Sequence, residues 1–167
     1  CQRAFETLKE KLISDPILAF PDFSKPFILH TDASGIAIGG ILAQLDEEGR
    51  ERVITYASRK LNGAEKNYST TSKECLAVVY WINYFRSYLL GKRFRVVTDH
   101  ISLKWLFNFK EPNVRMMRWI IKLSEYDFEI IHRPGKQHAN ADALSQPPFA
   151  STDEDKEFET DNPESCY

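Results

Sequence analysis

The stretch Phe27-Ile28-Leu29-His30-Thr31-Asp32-Ala33-Ser34 is an apolar run that ends in a threonine and an aspartate. A second stretch, Phe94-Arg95-Val96-Val97-Thr98-Asp99-His100, ends in the same way. Each pattern predicts a buried strand that carries a carboxylate at its C-terminal end, where open α/β sheets place their active sites. If the two strands are neighbours, Asp32 and Asp99 lie roughly 5 Å apart across the ladder.

The segments around these runs predict an α/β fold, a mixed sheet with flanking helices. Apolar periodicity and turn residues predict a lead-in helix over 1–13, an antiparallel meander of three strands, and a long helix from Thr71 to a C-cap at Gly91. Strand 93–99 follows this helix, so we expect it to lie parallel to the first aspartate strand through a right-handed crossover. The expected strands are 27–33, 36–45, 52–58, 93–99 and 128–132, and further helices are expected near 101–108, 113–125 and 140–145.

Two local patterns inside these elements carry a further expectation. The pair Gly39-Gly40 in the second strand indicates a bulge or a close approach of another backbone. The segment Thr71-Ser72-Lys73-Glu74 matches a capping box, so one interpretation of Glu74 is that it only caps its helix. However, Glu74 also precedes Ala77 and Val78 of the apolar stripe by three and four residues, which places its carboxylate on the side that faces the sheet.

A fourth acid, Asp142, falls in the short helix expected near the end of the domain. Four carboxylates held close together repel each other unless a divalent cation neutralises them. An all-oxygen set favours Mg²⁺ or Mn²⁺ over Zn²⁺, which prefers nitrogen and sulfur. Two such ions would activate a water and stabilise the leaving oxygen of an in-line phosphoryl displacement. The candidate metal ligands are Asp32, Glu74, Asp99 and Asp142.

Composition limits the remaining possibilities. With 167 residues, 43% of them hydrophobic and 13% aromatic, the chain has enough apolar side chains for one compact domain. No apolar run approaches the roughly 20 residues that cross a bilayer. Three widely spaced cysteines form no metal-binding pattern and indicate reduced thiols. Residues 151–167 hold seven acids and one base, so the rest of the chain carries 21 basic and 17 acidic residues, a formal charge of +4 that suits a polyanionic substrate.

The chain resembles the ribonuclease H domain of the reverse transcriptases of gypsy-like long-terminal-repeat retrotransposons. The resembling stretches follow the family's order over roughly residues 3–145 and are highly specific as a set. They are Pro21-Asp22-Phe23-Ser24-Lys25-Pro26-Phe27, Thr31-Asp32-Ala33-Ser34, Tyr56-Ala57-Ser58-Arg59-Lys60-Leu61, Ala64-Glu65-Lys66-Asn67-Tyr68-Ser69, Lys73-Glu74, Thr98-Asp99-His100, Arg118-Trp119, Pro134-Gly135-Lys136 and Ala141-Asp142-Ala143-Leu144-Ser145.

The resemblance implies a ribonuclease H-like fold with a five-stranded mixed sheet, and an endonuclease that cuts the RNA strand of RNA/DNA hybrids to leave 3′-hydroxyl and 5′-phosphate ends. The family's carboxylate tetrad falls on Asp32, Glu74, Asp99 and Asp142, with two Mg²⁺ ions as cofactors and Mn²⁺ as a substitute. The expected partners are the hybrid and the polymerase and connection part of the same polyprotein, with no membrane and no small-molecule cofactor. The expected location is the cytoplasm, in the virus-like particle of a retroelement.

Many ribonucleases H also use a mobile histidine ahead of the last aspartate. His138 stands four residues before Asp142, and it has two interpretations, an aid to product release or proton transfer, or a purely structural loop residue.

Substrate contacts are expected in three places. Ser34 and Gly35, just after the first aspartate, can present backbone groups to the RNA minor groove. The head of the long helix, where free backbone amides attract a phosphate, contains Asn67, Tyr68 and Thr71. This region resembles the family's DNA-strand contact. The alternative interpretation is that these residues only cap the helix. A basic stripe on the 113–125 helix can follow the DNA backbone or be a solvated face, and it consists of Arg115, Arg118 and Lys122, with Lys104 and Lys110 nearby.

The predicted organisation is a lead-in from the polymerase and connection part at 1–25, the ribonuclease H domain at 26–146, and an acidic, disordered tail at 147–167. The first alternative function is a catalytically silent, domesticated module that binds nucleic acid or protein. The second is a DNA nuclease or integrase on the same fold, which is disfavoured because integrases carry their glutamate on a late helix, whereas Glu74 precedes Asp99 by 25 residues.

Overall fold

The structure is a computed structural model that describes residues 2–12, 18–100, 103, 113–134 and 139–146. Within these residues, five strands form a mixed sheet, namely β1 (Phe27–Ala33), β2 (Ala37–Leu45), β3 (Glu51–Lys60), β4 (Arg93–Thr98) and β5 (Asp127–His132). Their spatial order is β3-β2-β1-β4-β5. The β1–β2 and β2–β3 pairs are antiparallel, whereas β1–β4 and β4–β5 are parallel. The predicted meander and parallel central pair are therefore confirmed, with strand ends within two residues of those expected.

The helices are α1 (Gln2–Leu12), α2 (Gly63–Lys66), α3 (Thr70–Tyr84), α4 (Arg86–Leu89), α5 (Val114–Leu123) and α6 (Ala139–Ser145). The predicted long helix is divided at Phe85, which ends α3 and precedes α4. Gly91 adopts a positive φ of 72° just beyond α4, as expected for the residue that ends a helix. The helix predicted near 101–108 lies outside the described residues except for the buried Leu103. The described helices include none that is long and apolar enough to cross a membrane.

The capping-box interpretation of Thr71-Ser72-Lys73-Glu74 is wrong, because α3 begins earlier. Ser69 has extended backbone angles and its hydroxyl accepts the backbone N–H of Ser72, so Ser69 is the N-cap. Glu74 then falls in the second turn and is free to point inward. The chain does contain a capping box one helix earlier, where Asn62 and Glu65 exchange side chain-to-backbone hydrogen bonds of 2.9 Å at the start of α2.

Helix α3 packs on one face of the sheet and forms the main core. Its buried side includes Cys75 and Trp81, and they pack with buried residues of β1, β2 and β4 such as Leu29, Leu42 and Val96. Burial raises the pKa of the Cys75 thiol to about 12, so this cysteine is an unreactive core residue at neutral pH.

The glycine pair in β2 lets two helices approach the sheet from opposite sides. Successive strand residues face opposite surfaces of a sheet. A Cβ on Gly40 would lie 2.6 Å from the Trp81 ring of α3, whereas a Cβ on Gly39 would lie 2.8 Å from the Ala141 carbonyl oxygen and 2.9 Å from Leu144 Cβ of α6. The predicted close approach of a backbone is confirmed at Gly39, whereas the group that approaches Gly40 on the opposite face is the Trp81 side chain.

Candidate active site

Three of the four predicted carboxylates lie together at the C-terminal ends of β1 and β4. Strands β1 and β4 run in parallel, and His30 pairs with Val97 two residues before the aspartate of each strand. Asp32 therefore lies at the end of β1, beside Asp99, which directly follows β4. Glu74 reaches them from the second turn of α3, and one oxygen of each acid lies within 4.8 Å of the others.

Glu74 has the most perturbed environment of these acids. Its side chain is almost fully buried, and burial together with the nearby charges of Asp32 and Asp99 raises its pKa to about 9, against an opposing hydrogen bond from the Ala33 backbone. Its Oε2 is buried and has no hydrogen-bond partner in the described part of the structure. At neutral pH, without a cation, Glu74 is therefore protonated.

This donor set fits a hard divalent cation. All the ligand atoms are carboxylate oxygens, two of the three acids are buried, and one buried oxygen lacks a protein partner. Mg²⁺ and Mn²⁺ prefer such oxygen ligands, whereas the described cluster offers no nitrogen or sulfur atom. Asp32, Glu74 and Asp99 are the residues that would hold the ion.

The backbone of Asp99 is held by His132, a histidine at the end of β5. The ring Nε2 of His132, at the end of β5, donates a hydrogen bond of 2.9 Å to the Asp99 carbonyl oxygen. His30 is likewise buried, and its Nε2 lies 3.1 Å from Glu51 Oε2. His132 thus holds the backbone of Asp99, a candidate metal ligand. In the β4–β5 ladder His132 pairs with Thr98, the residue before Asp99.

The fourth predicted acid, Asp142, lies on the last helix of the domain. Asp142 lies on α6, which packs against β1, β2 and β3, but its side chain is outside the described part of the structure. Helix α6 reaches the carboxylate cluster through Ser145, whose hydroxyl donates a short hydrogen bond to Asp32 Oδ2. His138 lies outside the described residues, so its two interpretations stay predictions.

The head of α3 connects the cluster to the expected substrate contacts. Thr71 Oγ1 forms a hydrogen bond of 3.1 Å with Nε2 of His100, the residue that follows Asp99. Asn67 is the C-cap of α2 and donates its side-chain amide to the Gly63 carbonyl, so it has a capping role. His100 was not predicted as a site residue, although its place after Asp99 was the available signal.

Tyr68 and the predicted basic stripe line one groove beside α5. Its volume is about 560 Å³, and the carbon of the Arg115 guanidinium lies 3.8 Å from the Tyr68 ring centroid and 5.5 Å from that of Trp119. Arg118 and Lys122 are exposed and also line the groove, whereas Lys104 and Lys110 lie outside the described residues. Arg115 is therefore half-buried among aromatic rings, and the two exposed cations supply the outer positive charge.

The predicted minor-groove contacts lie in the turn between β1 and β2. The Ser34 hydroxyl accepts the backbone N–H groups of Ile36 and Ala37 at 3.1 and 3.0 Å, and the Ser34 N–H donates to the Ala37 carbonyl. These bonds give Ser34 a turn-forming role, while Gly35 is exposed at the tip of the turn.

Sequence comparison places this arrangement in a family. Residues 22–126 match the family described as the RNase H-like domain found in reverse transcriptase. The chain is 48% identical over 143 residues to the retrovirus-related Pol polyprotein from transposon 297 of Drosophila melanogaster, covering 86% of this chain and 13% of that protein. It is 39% identical over 148 residues to the transposon Tf2-3 polyprotein of Schizosaccharomyces pombe, covering 86% of this chain and 11% of that protein. The chain thus spans about an eighth of the length of these curated relatives.

Structural comparison gives the same fold. The foamy viral protease-reverse transcriptase in complex with an RNA/DNA hybrid has a TM-score of 0.59 and 18% identity, and the match covers 99% of this chain and 21% of that one. RNase H1 from Halobacterium salinarum has a TM-score of 0.53 and 15% identity, with 71% of this chain and 93% of that chain covered. These likenesses confirm the fold expected from the resemblance. The chain belongs to the family of RNase H-like domains found in reverse transcriptases, as the RNase H domain of a retrotransposon Pol polyprotein.

Proposed function

We propose that this domain is a metal-dependent endonuclease that hydrolyses the RNA strand of RNA/DNA hybrids during reverse transcription. The observation that carries the proposal is the meeting of Asp32, Glu74 and Asp99 within 4.8 Å of one another. Family membership supports the nuclease class, and one structural neighbour was solved with an RNA/DNA hybrid bound.

Each carboxylate has a distinct part in this proposal. Asp32 and Asp99 on the sheet and Glu74 on α3 would hold the divalent cations, and Asp142, which α6 carries, would complete the set. Bound Mg²⁺ would supply the positive charge that activates a water molecule and stabilises the oxyanion leaving group. Because burial and the neighbouring carboxylates raise the pKa of Glu74 to about 9, binding of a cation there would require Glu74 to lose its proton.

The groove beside α5 supports a nucleic-acid track that leads away from the cluster. Thr71 forms a hydrogen bond with His100, and the nearby groove is lined by Tyr68, Arg115, Arg118 and Lys122. Arginine and lysine bind phosphates without reading sequence, so this track positions the DNA strand of a hybrid regardless of sequence. Discrimination for RNA then comes from 2′-hydroxyl contacts near the carboxylates, where Gly35 exposes its backbone.

The test is cleavage of a labelled RNA/DNA hybrid by the purified domain, with Mg²⁺ and with a chelator, beside double-stranded RNA and double-stranded DNA. We expect Mg²⁺-dependent cutting of the hybrid alone, with 3′-hydroxyl and 5′-phosphate ends. The Asp99→Asn variant should lose at least about 10³-fold in rate, as for residues that act as a catalytic unit. Asp127→Asn is the matched control, because Asp127 is exposed at the opposite end of the sheet, where it pairs with Arg93.

Other outcomes separate the alternatives. Mg²⁺-dependent cutting of double-stranded DNA in preference to the hybrid would favour a DNA nuclease. Hybrid binding without cleavage under any metal condition would favour a silent binding module, and equal loss in Asp99→Asn and Asp127→Asn would contradict the assigned site.

A further inference from the structure

Three hydroxyl groups attach the C-terminal end of α6 to the sheet. The last carbonyls of a helix lack partners within the helix. Ser58 Oγ donates to the Leu144 carbonyl at 2.6 Å, and Ser34 Oγ donates to the Ser145 carbonyl. The third hydroxyl belongs to Ser145 itself, and it donates in the other direction, to Oδ2 of Asp32. Two of the three bonds therefore satisfy the helix end, and only the Ser145 hydroxyl reaches a carboxylate.

The bond between Ser145 and Asp32 is buried. Ser145 has 0% of its surface exposed, and Asp32 has 5% exposed. A hydrogen bond from a hydroxyl to an ionised carboxylate is about twice as strong as one between neutral groups, and a dry environment strengthens it further. Helix formation does not require a buried hydroxyl that donates to a candidate metal ligand. The position of Ser145 therefore points to a role at the carboxylate cluster.

We propose that Ser145 is a positioning residue of the metal centre, and this inference rests on the function proposed above. A carboxylate oxygen has two lone pairs, so the hydrogen bond from Ser145 does not by itself prevent Asp32 from binding a cation, and it fixes the rotation of the carboxylate group. Ser145 also lies three residues after Asp142 on the same helix. The bond thus holds Asp32 in the orientation that a cation needs and connects it to the element that carries Asp142.

If Ser145 positions Asp32, loss of its hydroxyl weakens metal binding. Partners that hydrogen-bond a metal ligand typically change metal affinity or activity by about 10–100-fold when they are removed. Loss of the Ser145 hydroxyl should therefore raise the Mg²⁺ concentration at half-maximal activity by about 10-fold, with kcat largely recovered at saturating Mg²⁺. A purely structural tether would instead lower thermal stability and leave the metal dependence unchanged.

The experiment compares the full chain with Ser145→Ala, Ser145→Cys and Ser58→Ala. Cysteine keeps nearly the volume of serine but donates only weakly, so Ser145→Cys separates the hydrogen bond from packing. Ser58→Ala removes a hydroxyl that donates to a carbonyl at the same end of α6, and not to a carboxylate. The readouts are Mn²⁺ binding to the free protein by calorimetry, the Mg²⁺ dependence of hybrid cleavage, and thermal unfolding in the presence of a chelator.

We expect both Ser145 variants to bind Mn²⁺ about 10-fold more weakly, while Ser58→Ala keeps the wild-type affinity and unfolds at a slightly lower temperature. Wild-type Mn²⁺ affinity in Ser145→Cys would overturn the inference, even if Ser145→Ala failed to fold. Equal weakening in Ser58→Ala and the Ser145 variants would also overturn it, because the effect would then come from helix docking. If the wild-type chain itself neither binds Mn²⁺ nor cuts hybrids, the proposed function fails first, so the two failures are distinguishable.

Discussion

Glu74 places a carboxylate where folding does not favour a negative charge. Its pKa is raised to about 9 by burial and by the charges of Asp32 and Asp99, from an ordinary value of 4.5. A folded state that holds its proton more tightly than the unfolded state loses stability as pH rises between these two values. The site therefore has an electrostatic cost at neutral pH that a bound cation would offset.

This cost can be measured through Glu74→Gln, which removes the charge and keeps the shape. In a chelator, we expect the variant to exceed the wild type in free energy of unfolding by about 1–3 kcal/mol at pH 7. The difference should be near zero below about pH 4.5, where Glu74 is protonated in both the folded and unfolded chain, and should grow as pH rises towards about 9. Urea unfolding at several pH values tests this, and a difference that does not depend on pH would contradict it.

Glu74 also shows what the sequence could and could not predict at this scale. Its distance from Ala77 and Val78 along the helix correctly indicated the face that turns toward the sheet. The same four residues matched a capping box, and only the extended backbone of Ser69 decides where the helix begins. Likewise, the basic residues of α5 were visible in the sequence, but the stacking of Arg115 on Tyr68 depends on tertiary packing.

At the level of elements, the packing of both α3 and α6 on the sheet depends on strand β2. Gly40 accommodates Trp81 of α3, and Gly39 accommodates the last turn of α6. In the β1–β2 ladder, Gly39 lies opposite Asp32 and Gly40 lies opposite Thr31. The glycine pair therefore sets how closely two helices approach the strand that carries the first aspartate.

Replacing each glycine by alanine should change folding stability and cleavage activity to different extents. In Gly40→Ala, the new methyl would meet the Trp81 ring at 2.6 Å, and overpacking of this kind typically costs about 1–3 kcal/mol of folding stability. In Gly39→Ala, the methyl would meet the backbone of α6, so we expect displacement of the helix that carries Asp142 and a loss of cleavage larger than the loss of stability. Thermal unfolding and hybrid cleavage, measured on both variants, test the contrast.

Gly63→Ala is the control, because a Cβ there meets nothing within 4 Å at the first residue of α2. It should be neutral or slightly stabilising, since alanine lowers the entropy of the unfolded chain. Cleavage activity in Gly39→Ala that falls only in proportion to its stability would contradict the proposed dependence on α6.

The sequence predicted elements well where a regular apolar pattern was long. The five strands and helices α1 and α3 came from such patterns, whereas the four-residue α2 was missed because it has no buried residue and shows no periodicity. The close approach at Gly39-Gly40 was predictable from the lack of side chains. The identity of the approaching helices could not be predicted, because it depends on the strand order of the sheet and on how the chain returns across both faces.

At the scale of the whole molecule, charge is distributed unevenly along the sequence. The chain has a formal charge of −2, yet residues 151–167 alone contribute seven acids and one base. The rest of the chain is mildly basic and contains the groove with Arg118 and Lys122. An acidic segment joined to a basic surface competes with a polyanion for that surface, and salt screens this competition over about 10 Å at 0.1 M.

Neutralising the acidic segment should therefore strengthen hybrid binding without changing chemistry. We expect a variant with its seven acids replaced by the corresponding amides, at Asp153, Glu154, Asp155, Glu157, Glu159, Asp161 and Glu164, to bind a hybrid several-fold more tightly at about 50 mM salt. The gain should largely disappear at about 500 mM salt. We expect kcat at saturating hybrid to stay at the wild-type value, because the cluster among the described residues consists of Asp32, Glu74 and Asp99, which this variant keeps. Fluorescence anisotropy at both salt concentrations provides the measurement. A gain that persists at high salt would show that the segment acts through a specific contact rather than through its charge.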